Sequence, residues 1–290
     1  MKVLVTGGSG YVGREVVASL VSAGHDVRAL VRRPHATPSS GVEHVEGDVT
    51  DAGSFISAAA GCEAIVHLVA ILDGSDAEFH AVNAGGPRNA VEAAKANGIR
   101  RILHMSALGV SEEHAPLTRY WGTKYEGKRA VMESGLDWTA MEPSFVFGRN
   151  GGALKAFESL IKLPVAPVIG NGRYRHQPVW VGDVATAFVR ALERPETAGA
   201  VIPLGGPQAF TFDELLDELA RVTGRAPRRK LHAPAGLVKA QTVVLRHLPP
   251  PLKVTKEQIV MLLAGTECEL GAMRSQLGIE PASIAEAYTR

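Results

Sequence analysis

Apolar and polar positions along this chain alternate between two rhythms. Short apolar runs of strand type recur at Lys2–Thr6, Asp26–Val31, Val42–Glu46, Cys62–Ala70, Ile99–Ser106, Leu136–Glu142 and Ala200–Leu204. Between them, segments with helical periodicity fall at Val12–Ala23, Asp51–Gly61, Asn83–Asn97 and Tyr120–Ser134, the third closed by Gly98 as a C-cap. Cys62–Ala70 (CEAIVHLVA) is almost continuously apolar, as a parallel strand covered on both faces should be. Strand and helix in this alternation predict right-handed crossovers and an α/β fold built on a doubly wound parallel sheet.

The pattern loosens after Pro143, which is expected to stop the sixth strand. Ala153–Leu163 reads as a helix, and Pro164–Arg173, punctuated by proline and glycine, reads as a loop at the base of a second lobe. Gln177–Val181 and a helix Val184–Leu192, with Asp183 as N-cap, return the chain to the main sheet. Thr211 and Glu214 form the two ends of a capping box. The basic run Arg225–Lys230 reads as a solvated rim. Ala235–Leu248 is apolar up to Pro249-Pro250-Pro251, and Thr255–Leu263 is a further helix. The expected organisation is a main domain over 1–163 with the returning segment 177–206, and a smaller C-terminal α/β lobe over 164–176 and 207–290.

The junction of the first strand and helix carries chemistry. Gly7, Gly10 and Gly13 stand between them at three-residue spacing. Gly7 turns the chain off the strand, Gly10 leaves room for a pyrophosphate, and Gly13 lets helix pack on strand. The free amides of the first helical turn, at Tyr11 and Val12, then face the phosphates. Strand, glycine turn and helix in that order predict a dinucleotide-binding Rossmann fold. The second strand ends in Arg32 and Arg33 where an NAD site usually has an acid, so NADP(H) is expected over NAD(H), the arginines pairing with a 2′-phosphate. Asp48, after the third strand, either meets the adenine or is a turn aspartate. Leu68, Val69 and Ala70 would lie along the cofactor.

Net charge is +1 over 290 residues, so nothing points to nucleic acid. No run reaches a membrane-spanning length. Cys62 and Cys268 form no disulfide framework or metal knot. The chain opens directly into a strand, and a soluble cytoplasmic protein acting on a small molecule is expected. Asp73, Asp76, Glu78 and His80 lack the tight spacing of a metal site and read as a solvated loop. His67 and His104, each inside an apolar strand, read as hydrogen-bonded core residues.

Tyr120 and Lys124 are four residues apart and share one helix face. A lysine ammonium beside a phenol is expected to lower the phenol's pKa, preparing it for proton exchange during hydride transfer. The ordered motifs TGGSGYVG, GDV, HMSALG, YWGTK, PSFVFG and HQPVWVGDVA resemble those of extended or atypical short-chain dehydrogenases/reductases of the epimerase/dehydratase type. Within that superfamily the stretch His104–Glu133, with PPPLKVTKEQIVMLL, most resembles the NAD(P)-binding accessory subunit of respiratory complex I and its bacterial relatives. The resemblance implies Tyr120 and Lys124 as the catalytic pair with Ser106 beside them. It also implies that Asp48 and Val49 lie at the adenine, that Lys124 holds the nicotinamide ribose, and that Pro143 and Ser144 flank the nicotinamide. It further implies oxidoreductase or epimerase-type chemistry or, alternatively, a silent nucleotide-binding protein associated with a respiratory complex or membrane surface. Leu108 occupies the position where active relatives carry a second Ser or Thr, and about 13 residues separate Ser106 from Tyr120, little chain to fold over a nucleotide-sugar. An oligomer is compatible with the exposed late helices.

Overall fold

The protein, seen in a computed structural model, is described over residues 1–33, 41–148, 151–240 and 255–289, without the side chains of residues 239 and 240. The polar loop before Gly41, residues 241–248 of the apolar stretch and Pro249–Pro251 lie outside the described residues. The chain divides into two compact units, the first comprising Met1–Pro143, Val181–Leu204 and Gly271–Ile279.

Seven strands form the first unit's sheet: β1 (Lys2–Thr6), β2 (Asp26–Val31), β3 (Val42–Glu46), β4 (Ala64–His67), β5 (Arg101–Met105), β6 (Asp137–Pro143) and β7 (Ala200–Leu204). Their order is β7-β6-β5-β4-β1-β2-β3, with every neighbouring pair parallel. This is the Rossmann-type α/β sheet expected from the sequence. Strand order reverses between β1 and β4, and such sheets bind ligands in the crevice outside the carboxyl ends of those strands.

Among the described residues, six helices belong to this unit's α/β crossovers: α1 (Tyr11–Ser22), α2 (Ala52–Ala59), α3 (Asp76–Phe79), α4 (Gly86–Ala96), α5 (Arg119–Met132) and α6 (Val181–Glu193). Leu4, Leu30, Ile65 and Ile102 from four strands meet Phe55 of α2 and Ala90 and Ala93 of α4 in one buried cluster. Each large side chain there contributes about 1.5–3 kcal/mol by leaving water.

Four local expectations are corrected. The strand expected to run to Ala70 ends at His67, and Leu68–Ala70 leave the ladder, although the Leu68 amide still donates to the Thr6 carbonyl at 3.2 Å. Of the acidic patch only Asp73 stays in a loop: Ser75 caps α3, its Oγ accepting from the Glu78 amide while Glu78 accepts from the Ser75 amide, so Asp76 and Glu78 sit at a helix N-terminus. The helix expected to begin at Asn83 therefore begins earlier, and it widens into a π-turn over His80–Gly85 before α4. Asp183 is not an N-cap, because α6 already starts at Val181 and holds Asp183 in its first turn, complementing the helix dipole.

The second unit comprises Ser144–Trp180, Gly205–Leu270 and Glu280–Arg290. The chain changes unit at Pro143 rather than near residue 163, because Ala153–Leu160 packs on Phe212–Val222 around Leu154, Leu215 and Leu219. Gly271–Leu277 returns to the first unit, where Arg190 of α6 donates to the Leu277 carbonyl at 2.8 Å. The expected loop over Pro164–Arg173 contains a strand, Val165–Ile169, paired in parallel with Arg229–Ala233. The basic run is only in part a solvated rim, since Lys230 pairs with Asp217 at 2.7 Å and Arg228 donates to the Ile161 carbonyl. The Thr211–Glu214 capping box is present.

Candidate functional site

The corner after β1 is shaped by what its glycines lack. Gly7 has φ +74°, and a Cβ there would come within 3.1 Å of Val69, two residues past the end of β4. A Cβ on Gly13 would lie 2.0 Å from the Gly7 carbonyl oxygen, so strand end and helix touch backbone to backbone. Gly10 is the N-cap of α1; its amide donates to the Gly7 carbonyl at 2.9 Å, and it offers no side chain to the amides of Tyr11 and Val12. No acid occupies the first turn of α1. A bare helix N-terminus of this kind attracts anions. The Tyr11 hydroxyl is buried without a hydrogen-bond partner, and burial, assisted by Glu15, pushes its pKa up to about 12.

Arg32 and Arg33 follow β2, are exposed, and line a groove of about 540 Å³ with Ser9 and Val31. The Asp48 carboxylate accepts from the Thr50 amide at 2.9 Å and the Thr50 hydroxyl at 2.8 Å, the turn arrangement that was one of its two expected roles. Val49 is buried in the apolar cluster, and its carbonyl accepts from Asn89 at 2.8 Å. Leu68 is buried and Val69 half-buried beside Gly7, and the next residue, Ala70, is half-buried. These features fit a dinucleotide: a cradle that a Cβ would fill, a free helix N-terminus for a pyrophosphate, and two guanidiniums at the end of β2.

The second cluster gathers on α5, capped by Thr118, whose hydroxyl accepts from the Trp121 amide. Tyr120, Lys124 and Lys128, four residues apart in turn, are all buried on this helix. Lys124 Nζ donates to the Met105 carbonyl at the end of β5. The next residue, Ser106, is 3% exposed, and its hydroxyl has no hydrogen-bond partner. Lys124 is thus fixed beside Ser106 where β5 ends, with Tyr120 one helical turn away on α5. The expected lowering of the phenol by the lysine is absent. Burial pushes Tyr120 up to about 12 and, as the largest effect, pushes Lys124 down to about 7; Glu142 opposes that fall and Lys128 adds to it. The lysine's own loss of hydration weakens the charge that was to stabilise phenolate.

Pro143 closes β6 in register with Leu204, and its carbonyl accepts from the Leu108 amide at 3.0 Å. Ser144, in the second unit, is engaged with Thr266, at 2.8 Å from its hydroxyl and 3.0 Å from its carbonyl oxygen. His67 bonds Thr6 Oγ1 through Nδ1 at 2.8 Å and stacks on His104 at 5.7 Å, whereas neither His104 ring nitrogen has a partner. Among the described residues no cluster of three or more His, Cys, Asp or Glu could hold a metal ion, and no helix is long and apolar enough to cross a membrane.

Two features escaped the sequence reading. Asn83, in the π-turn, accepts from the Ile71 amide at 2.8 Å and donates to the Ile71 carbonyl at 3.0 Å, pinning the loop after β4. The small residues Ala84, Gly85 and Gly86 around it are the signal of close helix approach that could have found it. Lys128 donates to Glu142 at 2.8 Å, but 14 residues of separation hide this pair from any local pattern.

A model of the NAD(P)H-binding family matches residues 7–195. A 4-hydroxy-2-methyl-3-oxo-4-farnesyl-3,4-dihydroquinoline-1-oxide ketoreductase of Stigmatella aurantiaca is 28% identical over 96% of this chain and 91% of its own length. A (4-alkanoyl-5-oxo-2,5-dihydrofuran-3-yl)methyl phosphate reductase of Streptomyces griseus is 32% identical over 86% and 83%. Among solved structures, MoeE5 in complex with UDP-glucuronic acid and NAD superposes with a TM-score of 0.77, covering 100% of this chain and 97% of that one at 22% identity.

Proposed function

The chain belongs to the NAD(P)H-binding family, within the extended short-chain dehydrogenase/reductase and epimerase-like superfamily, and from that premise we propose that it is an NADP(H)-dependent oxidoreductase reducing a ring carbonyl. One observation carries this reading: Lys124 is bonded to the carbonyl of Met105, next to the unpartnered hydroxyl of Ser106 and one helical turn from Tyr120.

The bound cofactor supplies the hydride. Gly7, Gly10 and Gly13 with the amides of Tyr11 and Val12 hold its pyrophosphate, and Arg32 and Arg33 prefer a 2′-phosphate over a bare hydroxyl. Leu68, Val69 and Ala70 would lie along it, with Asp48 and Val49 at its adenine and Pro143 and Ser144 at its nicotinamide. The Tyr120 phenol, held fully protonated by its burial, donates a proton to the carbonyl oxygen as hydride reaches the carbonyl carbon. Ser106 Oγ donates a hydrogen bond to the same oxygen. Protonated Lys124 offsets the charge left on Tyr120, so turnover falls as pH rises through about 7. A ring substrate is supported by the two relatives, whose names describe reductases of oxo-substituted heterocycles. Leu72 and Leu117, both more than half exposed on the loops after β4 and β5, offer apolar contact at that end of the sheet.

A second reading, a silent cofactor-binding protein allied to a respiratory complex, is favoured by Leu108, whose side chain provides no second donor to the oxyanion. That loss costs roughly 10²- to 10³-fold if it resembles an oxyanion-hole deletion. NADPH oxidation against a panel of oxo-heterocycles, with the wild type and Tyr120→Phe, separates the readings. We expect Tyr120→Phe to lose about 10²- to 10⁴-fold in turnover at unchanged NADPH affinity. Equal turnover by both proteins overturns the role of Tyr120, and NADPH binding without turnover on any substrate favours the silent reading.

A further inference from the structure

Four residues beyond Lys124, the same helix face carries a second buried ammonium. Lys128 Nζ donates to the Val110 carbonyl at 2.5 Å and to Glu142 Oε1 at 2.8 Å. Both partners of this ion pair are nearly out of water, with side chains 11% and 12% exposed. Lys124 holds the carbonyl of Met105 and Lys128 that of Val110, so the two lysines grip the two ends of the segment that carries Ser106. That segment has no regular secondary structure of its own, and β6 touches it at two points, the Met141 carbonyl accepting from the Ser106 amide at 2.7 Å and the Pro143 carbonyl from the Leu108 amide at 3.0 Å.

We propose that Lys128 and Glu142 are a positioning pair that fastens the Ser106 segment to α5 and β6 and sets the charge on Lys124. The pair touches no reacting atom; it acts through Lys124 and Ser106, and its catalytic meaning rests on the function proposed above. Burial pushes Lys124 towards losing its proton, and Glu142 on β6 is the opposite charge that resists this. Lys128 has the opposite influence on Lys124 and also holds Glu142 in place by its hydrogen bond. The other titratable groups near Lys124 are Tyr120 on its own helix, His67 on β4 and His104 on β5. Burial keeps both histidines far below their usual range, so they are neutral at pH 7 and bring no charge. The balance on Lys124 is therefore left to Glu142 and Lys128.

The two members of the pair should move Lys124 in opposite directions. Removing Glu142 takes away attraction; removing Lys128 takes away repulsion and leaves Glu142 facing Lys124 alone. The test uses the full cofactor-free chain labelled with ¹³C at lysine Cε, the Lys124 resonance being identified by its loss in Lys124→Arg. We expect the titration midpoint of Lys124 to move down by about one pH unit in Glu142→Gln and up by a similar amount in Lys128→Met. Lys128→Met/Glu142→Gln, which removes both charges and so keeps a foldable core, should return it close to the wild-type midpoint. Amide exchange over residues 106–111 should speed up at least about tenfold in both variants that lack Lys128. Midpoints that stay put, or move in the same direction in both single variants, overturn the pair's role in setting charge; unchanged exchange overturns its fastening role. Neither readout needs substrate or cofactor, so a failed turnover assay with Tyr120→Phe would sink the proposed reaction and leave this result standing.

Discussion

At the scale of single residues, the buried histidines set an acid limit on the fold. His67 sits near 3 and His104 well below its usual value, burial being the main cause in each and the Lys124 charge the next. In the unfolded chain both would titrate near 6.5, so below that pH the unfolded state binds more protons and stability falls as pH falls. The slope approaches about 1.4 kcal/mol per pH unit for each histidine, down to the native value. Urea melts at pH 7 and pH 5 should show this loss, and His104→Leu should flatten it. An unchanged slope in His104→Leu would mean the ring is not held neutral. The arginine pair gives a second prediction at this scale. Arg32→Ala/Arg33→Ala should weaken NADPH at least about tenfold, one lost charge-assisted contact being worth roughly 1.5–3 kcal/mol, and leave NADH unchanged. Equal losses for both cofactors in calorimetric titrations would count against the phosphate role.

At the scale of elements, the seam between α5 and the π-turn holds the site together. A Cβ on Gly127 would stand 2.3 Å from the Asn83 carbonyl oxygen and 2.8 Å from the Pro87 ring, so the helices meet with no room for a side chain at this position. Asn83 uses its side chain on Ile71 and reaches Thr123 of α5 at 3.4 Å. Gly127→Ala should push α5 away and cost about 1–3 kcal/mol, the range for overpacking; a thermal melt equal to the wild type would show that the seam yields. How much of this was legible follows from what each feature depends on. The glycine corner could be read because its demands are local: three positions where a Cβ collides or blocks, between a strand and a helix. The Tyr120–Lys124 face could be read from spacing alone, but not the lysine's weakened charge, which depends on how much protein surrounds it. The strand Val165–Ile169 was hidden because its partner lies some 60 residues on and because Pro164 and Pro167 read as punctuation. The π-turn was hidden because Asn83 beside small residues suggests a helix start, and only the approach of α5 shows otherwise.

At the scale of the whole molecule, binding is itself a measure of the proposed preference. A ligand that binds only the folded chain raises its apparent stability by RT ln(1 + [L]/Kd), about 2.7 kcal/mol at a hundredfold excess over Kd. NADPH should therefore raise the melting temperature more than NADH at equal concentration. The strand order that gives the crevice between β1 and β4 belongs to many chemistries, so the sheet alone could not choose among them. The reading proposed above rests on the side chains near its carboxyl end together with the two named relatives.

The first unit is assembled from three separated stretches, and its last piece is Gly271–Ile279. On the ribosome, β7 emerges only after the chain has detoured through Ser144–Trp180, and the carbonyls that receive Arg190 and Arg194, at Leu277 and Gln276, emerge later still. A fragment cut after Leu204 would hold all seven strands yet leave those two guanidiniums without their acceptors. A shortened cofactor-binding version of this protein will have to keep its tail.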